Sequence, residues 1–158
     1  MNAPQPSLYE RIASSHVAAF GDGYTGTPNA AALIVGTQAP TRAEKSALEA
    51  SFSQLGYAKS ALGWIALDET AQSESAEGDA AQRLFDLIEG IGPLCVVALN
   101  HAATAALSRS FNAPLALETK TLLLGHACRC FENLDALLST EAGKRKAWEL
   151  LKTCPKLA

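Results

Sequence analysis

The chain has 158 residues, 48% of them hydrophobic and 6% aromatic, with 18% charged residues and a net charge of −3. That length and apolar content predict a single domain, 1–158, with its own buried core, and they exclude a disordered chain. No apolar run approaches the roughly 18–20 residues that a membrane-spanning helix needs. Met1–Pro6 lacks the basic start and apolar block of a signal peptide, so a cytoplasmic protein without membrane contact is expected.

Taken in order, Leu8, Ile12, Val17 and Phe20 predict a first helix, followed by the turn-rich segment Gly21–Gly26. Ala31–Gly36 is the first of four short apolar runs; the others are Leu62–Leu67, Leu94–Leu99 and Thr119–Leu124. None alternates with period two, and each is bounded by turn residues, which suits strands buried on both faces of a parallel sheet. Between the first two runs, Thr41-Arg42-Ala43-Glu44 is a capping box, and Ala47, Leu48, Phe52 and Leu55 continue a helix that stops at Gly56. Ala80, Leu84, Leu87, Ile88 and Ile91 predict the next helix. Asn100 is the cap of one over Ala102–Ser110, and the last helix covers about Thr140–Cys154. Strand alternating with helix means an α/β domain, expected as three α/β/α layers around a four-stranded, mainly parallel sheet.

In such sheets ligands bind beyond the C-terminal strand ends, where the strand order reverses. The loops expected to carry function are therefore Gly36–Pro40, Asp68–Glu77, Asn100–His101 and Gly125–Phe131. Gly36, Thr37, Ala39, Pro40 and Asn100 are the expected pocket lining from these loops. Gly125-His126 follows the fourth run, which would set His126 at the same sheet end as Gln38. A histidine there could stabilise developing negative charge.

The four cysteines, Cys95, Cys128, Cys130 and Cys154, do not form the spacing of a disulfide framework. His126, Cys128 and Cys130 are a dense set of soft ligands. A structural zinc site wants a second such cluster, and the sequence has none, so no metal or other cofactor is expected. Charge is segregated. Asp68–Glu89 holds seven acids against Arg83 alone, whereas Lys144, Arg145 and Lys146 crowd the last helix. Any nucleic-acid contact must use that local patch, because the chain as a whole lacks a basic footprint.

In order, these pieces resemble the uracil-DNA glycosylase superfamily, especially its bacterial GEAPG-type branch. Val35–Glu44 is similar to the family's first motif, with Ala39, Pro40 and Glu44 in step. Leu87–Leu107 resembles its middle segment, "IxPxxIVALGxxAAxxLL". Gly125-His126-Ala127 and Leu137–Lys152 resemble its ending, a histidine loop and then "LLxxxxxKRxxWxDLK". The match covers about Leu33 to Lys152 and leaves residues 1–30 outside.

The resemblance implies a glycosylase-like fold in a DNA-metabolism context. Family members extrude a base and hold it by stacking and by hydrogen bonds to its edge. Here no aromatic occurs between Pro40 and Phe52, and Leu67 stands where many members use a base-reading asparagine. Gln38 takes the place of the water-positioning residue, Ala127 replaces the proline after the histidine, and the four-cysteine iron–sulfur set is missing. These departures imply a degenerate relative without base-excision activity that binds a partner: single-stranded or damaged DNA, or a replication or repair protein. The glycosylase-fold psi accessory subunit of bacterial DNA polymerase III is similar in this respect, and it also ends in a Lys/Arg–Trp helix pattern. The alternative is an atypical DNA glycosylase in which Gln38 positions water and His126 stabilises the leaving base.

Overall fold

Ala32–Gly36 is buried at every position, as a strand covered on both faces must be. The computed structural model describes residue 5 and residues 7–67 and 77–157. Along these run α1 (Leu8–Phe20), β1 (Tyr24–Thr25), β2 (Ala32–Gly36), α2 (Arg42–Gln54), a 3-10 turn (Lys59–Ala61) and β3 (Leu62–Ala66). There follow α3 (Glu77–Ile91), β4 (Cys95–Ala98), α4 (His101–Phe111), β5 (Lys120–Leu123), β6 (His126–Cys130), α5 (Leu134–Leu137) and α6 (Glu141–Leu151).

The strands form one mixed sheet in the order β1-β3-β2-β4-β6-β5. The central four, β3, β2, β4 and β6, are parallel, and β1 and β5 are antiparallel edges. Side chains alternate across the sheet. Leu33, Val35, Val96, Ala98, Cys128 and Cys130 point to a core closed by α1, α3 and α4. Ala32, Ile34, Cys95 and Val97 point to a second core, closed by α2, α5 and α6. Helices on both faces of one sheet make three layers.

The sheet differs from the expected four strands. It has six among the described residues, and the fourth apolar run is not the fourth parallel strand. Thr119–Leu124 contains β5, an edge strand whose Leu122 is 68% exposed, with Leu124 beyond it 66% exposed. Three consecutive leucines concealed an outward-facing position. The parallel strand is β6, whose sequence HACRC has no apolar run to announce it. Leu124 (φ 48°) and Gly125 (φ 89°) are the two residues between the paired Leu123 and His126. Positive φ at both positions matches the twist of a two-residue hairpin.

That hairpin moves His126. It begins β6, two positions before Cys128, which pairs with Val96 near the start of β4. The expectation that His126 shares the sheet end of Gln38 is therefore overturned: the two residues lie at opposite ends of the parallel strands.

The helices follow their caps. Thr41 Oγ1 accepts from Glu44 N at 3.1 Å while Glu44 Oε1 accepts from Thr41 N at 2.9 Å, the reciprocal pair read in the sequence. Ser7 and Glu10 form a second such box at α1. Asn100 caps α4, and Thr140 caps α6, which ends at Leu151 rather than Cys154. α1 packs on α3, where a Cβ at Gly90 would come within 2.4 Å of His16 Cδ2. No helix among the described residues is long and apolar enough to cross a membrane.

Candidate functional site

β2 and β4 are neighbours in the sheet, yet the chain leaves them for opposite faces, into α2 and α4. A crevice opens at such a switch point. Here the loop Thr37–Pro40 lies beside the start of α4. Gly36 ends β2 where space is short: a Cβ there would stand 2.9 Å from Leu99 Cδ1 and 3.0 Å from the Gln38 carbonyl oxygen. Asn100 Oδ1 accepts from Ala103 N at 2.8 Å, and its Nδ2 donates towards Thr37 Oγ1 at 3.5 Å. Thr41 Oγ1 donates to Asp135 Oδ1 at 2.9 Å and so ties the α2 cap to α5.

Of the expected pocket residues, Gly36, Thr37 and Asn100 are thus brought together. Gln38 and Ala39 are exposed on the same loop, and Pro40 is half-buried behind them. Leu67, just past β3, is half-buried against the core under α3. The loop expected over Asp68–Glu77 falls at 68–76 outside the described residues.

His126 does not join this group. Its Nδ1 lies 2.7 Å from the Pro93 carbonyl oxygen and its Nε2 3.0 Å from Glu89 Oε1. Each ring nitrogen faces an acceptor, and the imidazole braces the end of α3 against the start of β6. A water placed by Gln38 and a base steadied by His126 cannot meet across the length of the sheet. This removes the joint catalytic role.

Lys144, Arg145 and Lys146 do not form one basic face either. Successive residues on a helix are turned by about 100°, so the first and third point in nearly opposed directions. Lys144 lies beside Glu141 at 3.3 Å and lines one groove; Lys146 lies 2.8 Å from Glu118 and lines another.

The two grooves differ in chemistry. The first, about 630 Å³, is mixed in character, with His101, Glu118, Glu132, Asn133, Thr140 and Lys146 beside Ala136 and Leu137. It lies over the C-terminal end of β6, where His101 N donates to the Glu132 carbonyl oxygen at 2.9 Å. The second, about 520 Å³, lies between α2 and α6 with α5 as its floor. Ala43, Ala47 and Ala50 form one wall, Leu134 and Leu138 the floor, and Ala147, Trp148 and Leu151 the other wall. Lys144 is its only charged lining residue among the described residues. The sequence reading missed this groove. Its signal was the spacing of Ala43, Ser46, Ala47, Ala50 and Ser51, small residues along one helix face.

The cysteines divide between the cores, Cys128 and Cys130 under α3 and α4, Cys95 and Cys154 on the other face. Among the described residues no three His, Cys, Asp or Glu side chains converge as metal ligands. Burial and hydrogen bonding shape their chemistry. Cys95, which donates to Cys154, has its thiol pushed up, first by that bond and then by burial. Cys154 is lowered, first by the bond it receives from Cys95 and, against burial, which raises it, by the positive charge of Arg129.

Comparison with protein-family models and with curated proteins gives no match to this chain.

Proposed function

We propose that the chain is a binding or adaptor protein on a uracil-DNA glycosylase-like scaffold, working in DNA metabolism, and that it does not excise bases. The position of His126 carries this reading. The pair expected to divide water activation and leaving-group stabilisation, Gln38 and His126, is split between the two ends of the sheet, and both ring nitrogens of His126 already face Pro93 and Glu89.

The partner is a protein. A nucleic-acid groove needs cations in a row, because phosphate neutralisation supplies most of the affinity. Here the three clustered cations diverge, and two of them are paired with Glu141 and Glu118. The groove between α2 and α6 offers instead an apolar floor with Trp148 and one ammonium, chemistry that suits apolar side chains beside a carboxylate. The test is incubation of the pure protein with uracil-, hypoxanthine- and xanthine-containing oligonucleotides, single- and double-stranded. No abasic sites are expected; sites that vanish with Gln38→Ala overturn the proposal.

A further inference from the structure

Arg129 is the one cation in the buried interior, 5% exposed, and among the described residues no carboxylate pairs with it. Its guanidinium donates instead to neutral oxygens. Nε reaches Thr153 Oγ1 at 2.7 Å and Nη2 the Thr153 carbonyl at 3.0 Å; Nη1 reaches the carbonyls of Cys128 and Thr121 at 2.8 and 3.2 Å. The next residue after Thr153 is Cys154, whose Sγ lies 3.1 Å from Cys95 Sγ. Two thiols in contact thus sit beside a buried positive charge that has no anionic partner.

We infer that Cys95 and Cys154 are an oxidisable dithiol, which hydrogen peroxide converts to a disulfide that fastens the segment after α6 to β4. The sulfurs need to approach by roughly a further 1 Å to reach bonding distance. Cys154 is the attacking sulfur, because Arg129 and the Cys95 thiol both favour its thiolate, the reactive form. Its electron pair attacks one peroxide oxygen. The O–O bond breaks, the departing hydroxide takes up a proton as water, and Cys154 is left as a sulfenic acid. Cys95 then attacks the Cys154 sulfur, the S–O bond breaks, and the thiol proton leaves with the hydroxide as a second water. Two thiols lose two electrons and the peroxide gains them.

Cys154 is 3% exposed, so the peroxide enters when residues 155–157 lift away from the segment after α2. Among the described residues, the chain beyond Cys154 is held by two bonds, the Tyr57 hydroxyl donating to the Pro155 carbonyl at 2.7 Å and Leu157 N to the Leu55 carbonyl at 2.9 Å, while Thr153 before it stays tied to Arg129. The other thiol pair supplies an internal control. Cys128 and Cys130 also touch, at 3.6 Å. They are two apart on one extended strand, about 6.6 Å from Cα to Cα, near the upper limit for a disulfide.

The test is to expose the reduced full chain to hydrogen peroxide, then unfold it and alkylate the remaining thiols. Intact mass and peptide mapping are read. The expected product has lost the mass of two hydrogen atoms, joins the Cys95 and Cys154 peptides, keeps Cys128 and Cys130 alkylated, and reverts with dithiothreitol. Cys154→Ser and Cys95→Ser each abolish the crosslink. Mapping of the unsubstituted chain does not depend on whether either variant folds. Four alkylated thiols after peroxide treatment overturn the proposal, as does a Cys128–Cys130 link or a Cys95–Cys154 link that forms only in denaturant.

Discussion

His126 Nε2 lies 3.0 Å from Glu89 Oε1 while its Nδ1 meets the Pro93 carbonyl, so one imidazole joins the last turns of α3 to the first residue of β6. Its work is structural. His126→Ala is expected to cost about 1–2 kcal/mol, the loss of a partly exposed pair and one backbone contact. Urea denaturation measures this. A variant as stable as the parent removes the brace from the account.

Gly143 lies in the first turn of α6, and a Cβ there would stand 1.9 Å from the Leu137 carbonyl oxygen. Alanine is ordinarily the better helix former by about 1 kcal/mol. Here the obstacle is backbone and cannot swing aside, so Gly143→Ala is expected to destabilise by about 1–3 kcal/mol and to loosen α5 against α6. Thermal unfolding decides the sign: a raised Tm contradicts the close approach.

Tyr57 donates to the Pro155 carbonyl, and its pKa is pushed from 10.0 up to about 12, first by burial and then by the neighbouring Cys95 and Cys154. The folded state therefore favours the neutral phenol. Its contribution is fully present below pH 10 and is lost as pH rises from 10 towards 12. Tyr57→Phe is expected to be less stable than the parent at pH 7, with the gap closing above pH 10. Denaturation midpoints at pH 7, 9 and 11 measure the gap; a constant difference across that range contradicts the assignment.

Much of the fold was legible because the decisive residues act locally. The Thr41/Glu44 box and the Asn100 cap stand where side-chain oxygens meet free helix N–H groups, and continuous apolar runs marked β2, β3 and β4. The remainder depends on contacts distant in sequence. β6 is a central strand although it carries His126 and Arg129, because Cys128 and Cys130 fill one core and Arg129 is satisfied by Thr153 and backbone carbonyls. Reading Thr119–Leu124 as that strand displaced His126 by the length of the sheet, and the candidate catalytic pair with it. Gly36, Thr37 and Asn100 fall close together because a strand-to-helix loop is positioned by its own strand. The α2–α6 groove needed both helices in place before it existed.

The most direct measurement of the central claim is the release of abasic sites from uracil-, hypoxanthine- and xanthine-containing oligonucleotides by wild-type protein, Gln38→Ala and His126→Ala in parallel. The account predicts no release by any of the three. Release by the wild type that is lost in Gln38→Ala contradicts it.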